Sequence, residues 1–522
     1  MRIKTGHQAV VMSVTVSALL VAGCGGSSKS SGKAPPNVTN GVVSMTLDGP
    51  VSSYDPTQAS TFQDAVALAA LYDTLVNFDP SGKLIPGLAD KWSSTKKTAT
   101  FHLKNGVTCS DGTSLTGAMV AASLNRLFDP ATKAPLIGQA IGPGNTAKAT
   151  SSGDSVTITT GKPWSDLVPG MTGPYAGIVC PAGTKDPSSL RTKSAGTGAF
   201  VSESQVTGSS YTMARRAKHT WGPAYADQAA GEPPKKLVLK VVDDENTRAN
   251  LTSTGELQVA SFTSNVWERF KSTAGISAQA SPQSDTMLVF NETAGHATSQ
   301  QNVRLAISQA LDRSVLNKVQ SFGAGQLISS LGRSTYECFD GGSAAQIPKY
   351  DAAAAAKVLK GVKLQVIGTN ILAGGAANDQ IMSALQAAGA AATVHTMDNQ
   401  AWVSDLFSGK NDWDVTIFVY GNRLSSFLPV GQFFVHGAPP KGLNLGATNN
   451  PAAEQAFDAA TASSAKEKCA ALTTFQQSLL RNNDVLPLAT APVHVLFAGG
   501  ISGSVLNGFA VPASIRVGKA SG

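Results

Sequence analysis

Hydrophobic and polar positions alternate over residues 42–47 (Val-Val-Ser-Met-Thr-Leu), which predicts a strand running into a turn at Asp48-Gly49-Pro50. Residues 63–78 are expected to form one amphipathic helix. A second strand is expected over 98–103, closed by the turn pair Asn105-Gly106, and a second helix over 114–128. The stretch 150–262 is rich in Thr, Val and Gly, with short strand-like runs such as 236–242. Over 299–319 the residues Val303, Ala306, Ile307, Ala310 and Leu311 fall at i, i+3, i+4, i+7 and i+8, a stripe that packs one helix face against a core. Ala-rich helices follow at 351–360 and 377–388, a buried-type strand at 415–420, two helices within 451–482 and a strand near 485–498. No internal repeat is visible. Alternating helices and strands in both halves predict an α/β protein of two lobes.

The length of 522 residues allows two or three domains with real cores. Gly (51) and Pro (26) are raised but not dominant, so a collagen-like or wholly disordered chain is excluded. The net charge of +7 is scattered, with no basic run of five or more residues, which disfavours a nucleic-acid binder.

The N-terminus changes the picture more. Arg2 and Lys4 precede an apolar stretch from Ala9 to Gly23, of signal-peptide length and too short to span a bilayer of about 30 Å. It ends in Val21-Ala22-Gly23-Cys24, which resembles a bacterial lipoprotein box. That resemblance implies a signal peptide over 1–23 and a lipidated (diacylated and palmitoylated) Cys24, whose thiolate is the nucleophile that accepts the lipid. The Gly- and Ser-rich segment that follows reads as a flexible tether over 24–40. Elsewhere no segment reaches 18 apolar residues, so the body is expected to be exported and held on the outer face of the cytoplasmic membrane by its lipid. Beyond Cys24 there are four cysteines, and an exported chain meets an oxidising environment. Of three possible pairings, Cys109 with Cys180 and Cys338 with Cys469 is preferred, because each pair stays within one expected lobe.

Catalytic signatures are absent: there is no G-x-S-x-G, no G-x-x-x-x-G-K-[ST], no H-E-x-x-H and no C-x-x-C. His102, His219, His296, His395, His436 and His494 are far apart and pair with no neighbour at metal-ligand spacing. Gly142-Pro143-Gly144 lacks the strand–turn–helix context of a dinucleotide loop, and Asp243-Asp244-Glu245 reads as a solvated loop. The chain is therefore expected to be no enzyme and to need no metal or cofactor.

Several blocks resemble the solute-binding proteins of ABC transporters, in the large family (family 5) containing oligopeptide, dipeptide and nickel binders. They are Leu71-Tyr72-Asp73-Thr74-Leu75-Val76 with Gly82 to Trp92, and Phe101-His102-Leu103-Lys104-Asn105-Gly106-Val107 with Ser110-Asp111-Gly112-Thr113. Further along come Gly196-Thr197-Gly198-Ala199-Phe200, then Asp244 to Arg248 with Gly255-Glu256-Leu257, then Asn291 and Val303 to Arg313. They keep the family's order, and the resemblance covers about residues 45 to 500. It implies a two-lobed periplasmic-binding-protein-like fold of class II, large cluster C type, with an extra subdomain in the first lobe. The first lobe would hold 41–262 (subdomain about 64–195), the second 263–487, with 488–522 returning to the first. Function would be hinge closure on a small solute, monomeric, with delivery to ABC permease subunits. The alternative is a surface lipoprotein that senses or scaffolds without transport.

Within that family frame the first loop offers Tyr54 and Gln58 beside Ser52 and Ser53, and the crossover region offers Trp267 and Asn291. After the strand over 415–420, peptide binders of the family carry W-x-x-D, whose Asp meets the solute's ammonium group. Here Tyr420-Gly421-Asn422-Arg423 puts Arg423 at that position. A guanidinium repels an ammonium and grips a carboxylate or phosphate. The expected solute is therefore peptide-like but N-blocked or acidic, or a glycosidic compound, rather than a peptide with a free N-terminus.

Overall fold

The computed structural model describes residues 34–225, 230–421, 423–464 and 467–518. The expected signal peptide, Cys24 and most of the tether lie outside these residues. A single mixed sheet of ten strands organises the molecule. Its middle is the antiparallel pair Ile276–Phe290 and Val485–Ala498, 15 and 14 residues long; the second crosses the expected junction at 487/488, the first lies inside the expected second lobe, and together they join the two sides of the sheet. On one side lie Val259–Phe262, Val42–Leu47, Lys236–Val241, Ser210–Arg215 and Phe200–Val206; on the other lie Val415–Tyr420, Lys363–Thr369 and Ala391–Met397. The two sides are the sheets of the two lobes. A separate four-stranded antiparallel sheet, built from Ala89–Ser94, Thr98–Leu103, Ser155–Thr160 and Ala147–Ser152, forms an extra layer on the first lobe.

Period-2 alternation along the long strands divides the core. Met287, Val289, Val493, Val495 and Phe497 point into one large cluster that runs through both lobes. Leu288, Phe290, Leu486 and Leu488 face a second cluster inside the second lobe, and Leu496 a small one under the first. The expected helical stripe of Val303, Ala306, Ile307, Ala310 and Leu311 is wholly buried.

Two expected helices are shorter than the pattern suggested. The one expected over 63–78 is the helix Phe62–Leu71, followed by a strand Val76–Phe78. Thr61 and Asp64 start it with reciprocal side-chain-to-backbone bonds of 3.1 Å. It stops at Tyr72 because the Gly196-Thr197-Gly198 turn lies against it: a Cβ on Gly198 would sit 2.4 Å from the Leu71 carbonyl carbon. The helix expected over 299–319 breaks into Gln301–Ala310 and Arg313–Ser321, because the Asp312 carboxylate caps a new start on the amides of Ser314 and Val315. Covalent bonds join Cys109 to Cys180 and Cys338 to Cys469.

Candidate solute site between the lobes

The loop after strand Val415–Tyr420 carries Arg423 out of the second lobe to the first, where its guanidinium carbon lies 5.8 Å from the centre of the Phe62 ring. Phe62 opens the capped helix of the first lobe and makes an edge contact with Phe509 of the C-terminal return, with ring centres 5.6 Å apart. Arg423 borders a small cavity of about 70 Å³ whose other walls, including Thr172, Pro174, Tyr225, Asn507 and Phe509, belong to the first lobe. An adjoining hollow of about 60 Å³ shares Asn77, Thr172, Pro174 and Tyr225.

Among the described residues Arg423 forms no salt bridge. The acid whose charge reaches it, Asp64, is already held as a carboxylate by Ser52, Ser60 and Thr61, through four donors at 2.8–3.2 Å. Burial pulls the Arg423 guanidinium below the ordinary arginine range, opposed by Tyr175, Asp64 and Tyr420 nearby. Tyr175 is 1% exposed and its hydroxyl has no hydrogen-bond partner among the described residues. Burial, then the neighbouring Tyr420, raises its pKa far above the usual phenol value. Arg423 thus brings guanidinium donors to the cavity wall, with the buried Tyr175 among its electrostatic neighbours.

The other residues singled out from sequence take separate places. Tyr420 ends its strand opposite Asp285, packed on Phe418 and Phe433. Tyr54 is buried in the first lobe, edge-on to Tyr211 at 6.4 Å, its hydroxyl unpartnered among the described residues. The Gln58 amide donates to the Thr132 carbonyl at 2.9 Å. Trp267 stacks on His494 at 3.9 Å with Lys271 above the ring, against the small cluster on the opposite face of the sheet from Val493, Val495 and Phe497. Alternation along Val485–Ala498 thus separates Trp267 from Arg423. Asn291 is fully buried in the second lobe, its amide donating to the Trp413 carbonyl at 2.8 Å and its oxygen accepting from the Thr293 amide. Tyr175, Phe62 and Phe509 were not singled out from sequence. They lie in three segments far apart in the chain, and no motif marks them. Among the described residues no cluster of His, Cys, Asp or Glu is placed to hold a metal ion, and no helix is long and apolar enough to cross a membrane.

A model of the bacterial extracellular solute-binding proteins, family 5, matches residues 83–438. The periplasmic murein peptide-binding protein MppA of Escherichia coli is 25% identical over 287 residues, covering 51% of this chain and 52% of that protein. The periplasmic oligopeptide-binding protein OppA of Haemophilus influenzae is 38% identical over 85 residues, 16% of each chain. The chain thus spans about half the length, or less, of these curated relatives. Over 92% of this chain and 100% of the other, the fold matches a substrate-binding protein of Microbacterium hydrocarbonoxydans solved with 4-hydroxybenzoate hydrazide, at 28% identity and a TM-score of 0.76. With its two lobes, long shared strands and interlobe cavity, this chain belongs to the bacterial extracellular solute-binding proteins, family 5.

Proposed function

We propose that this protein is the solute receptor of an ABC importer, lipid-anchored through Cys24 outside the cytoplasmic membrane, and that it captures a small acidic or N-blocked peptide-like solute by closing its lobes. One observation carries the choice of solute: Arg423 reaches the interlobe cavity beside Tyr175 with no carboxylate of its own among the described residues. A solute carboxylate there gains a charge-assisted bond only when the lobes meet, so it favours the closed state. The protein then acts by binding and presenting the solute, not by transforming it.

Thermal melting against three pools tests this reading: free-amine peptides, N-blocked or anionic peptides, and oligosaccharides. A pool component at about a hundred times its dissociation constant adds about 2.7 kcal/mol, a rise of several degrees. The anionic pool is expected to raise the melting temperature, and Arg423→Ala to weaken the responsible compound about tenfold or more by calorimetry. A rise confined to free-amine peptides, or unchanged affinity in Arg423→Ala, would overturn the assignment of the solute. The anchor has its own check: an alkynyl palmitate fed to the expressing cells should label the protein, and Cys24→Ala should abolish the label.

A further inference from the structure

The lobes also meet where no solute is involved. Ser165 and Asp166, on the first lobe, dock against the junction of the helices Pro451–Ala462 and Lys468–Arg481 of the second. The Ser165 amide donates to the Thr461 carbonyl at 3.2 Å and its hydroxyl to the Ala460 carbonyl at 2.9 Å, two carbonyls of the last turn of the helix, the second shared with the Ser463 amide. Beside it the Lys468 ammonium lies 2.7 Å from Asp166 and 2.7 Å from Glu337. Lys468 is 1% exposed and Asp166 0% exposed, whereas the Glu337 side chain is 43% exposed. Glu337 shares the lobe of Lys468, so only the Asp166 bond is broken when the lobes part. The two residues of the second lobe are also braced covalently. Glu337 precedes Cys338 and Lys468 precedes Cys469, the two ends of one disulfide.

We infer that Asp166, Lys468 and Ser165 form a closure latch independent of the solute, and that the Cys338–Cys469 disulfide holds Lys468 and Glu337 in register for it. A fully buried ammonium between two carboxylates tolerates the loss of neither charge nor geometry, because an unmatched buried charge is costly. Opening therefore leaves the Lys468 ammonium with Glu337 alone and the Asp166 carboxylate to water. The latch sets how much closed form exists before solute arrives, and apparent affinity scales with that fraction.

The test uses the ligand-free protein, comparing wild type with Asp166→Asn, Lys468→Gln and the Cys338→Ser/Cys469→Ser double variant. Hydrogen exchange over residues 163–168 reads the docked Ser165 amide, and small-angle scattering reads lobe separation. Asp166→Asn and Lys468→Gln are expected to speed exchange there about tenfold and enlarge the particle, with protection of the strand Val415–Tyr420 kept, which shows that the fold persists. The double variant should shift both readouts in the same direction by less. Unchanged exchange and size in Asp166→Asn and Lys468→Gln overturn the latch; no shift in the double variant overturns the bracing role of the disulfide. Neither readout depends on which solute the cleft takes.

Discussion

Arginines that resemble each other in sequence do different work here. Arg304, 2% exposed, donates to the carbonyls of Asn483, Thr298 and Asn482 at 3.0 Å and pairs with Asp484 at 3.0 Å and Glu292 at 3.2 Å. Arg248 is likewise committed, to the carbonyls of Val242, Ser261 and Asp243. These two arginines of the family-like blocks thus act as structural hubs, while Arg423, outside those blocks, faces the interlobe cavity. Around Arg304 two carboxylates share one guanidinium. Burial, then the charge of Asp484, pushes Glu292 up to about 8 despite Arg304, and Asp484 is raised as well. A carboxyl raised in the folded state contributes stability that is fully present below its ordinary pKa and is lost as pH climbs through the raised one. Wild-type resistance to urea should therefore fall between pH 5 and 8.5, and Glu292→Gln should flatten that slope; equal slopes in the two proteins would refute the assignment.

At the scale of elements, the two long strands are built to bend. Pro282 stands opposite Pro492 in the ladder, and register shifts fall between Pro282 and Ser284 and between Asp285 and Met287. Proline has no amide hydrogen, so the ladder loses donors on both strands at the level where the lobes meet. Buried Arg333 ties this bulge together, reaching the Pro282 carbonyl and, at 3.1 Å, the Asp285 carboxylate, which also accepts from the Tyr336 hydroxyl. Hydrogen exchange within 276–290 should be fastest near 283–286 and slow toward 287–290; uniform protection would argue against a hinge there. On the first lobe, the Cys109–Cys180 bond closes a separation of 71 residues. The loop-entropy model assigns it about 4 kcal/mol, so Cys109→Ser/Cys180→Ser should lose stability of that order in urea melts, and a loss below about 1 kcal/mol would contradict it.

For the whole molecule, the large apolar cluster runs from Val43 and Phe101 in the first lobe to Phe418 and Phe475 in the second, without a gap between lobes. One shared sheet and one shared cluster predict a single calorimetric unfolding transition, with a calorimetric enthalpy close to the van't Hoff value; two resolved peaks would show lobes that melt apart. Much of this architecture was written in local pattern. Strands at 42–47, 98–103 and 415–420, the buried stripe from Val303 to Leu311, and the blocks that carry the family each depend on neighbours a few residues away, where period 2 and period 3.6 are legible. The end of the helix at Leu71 was not legible, because it is set by a glycine turn more than a hundred residues later. The same reason governs the site. Sequence pointed to Arg423 through its departure from a motif, but only the fold brings Phe62, Tyr175 and Phe509 beside it, turns Trp267 to the far face of the sheet, and sets Asp166 against Lys468. Local spacing determines which elements form; which faces of those elements meet is decided by pairing across hundreds of residues, and the solute site lies in that pairing.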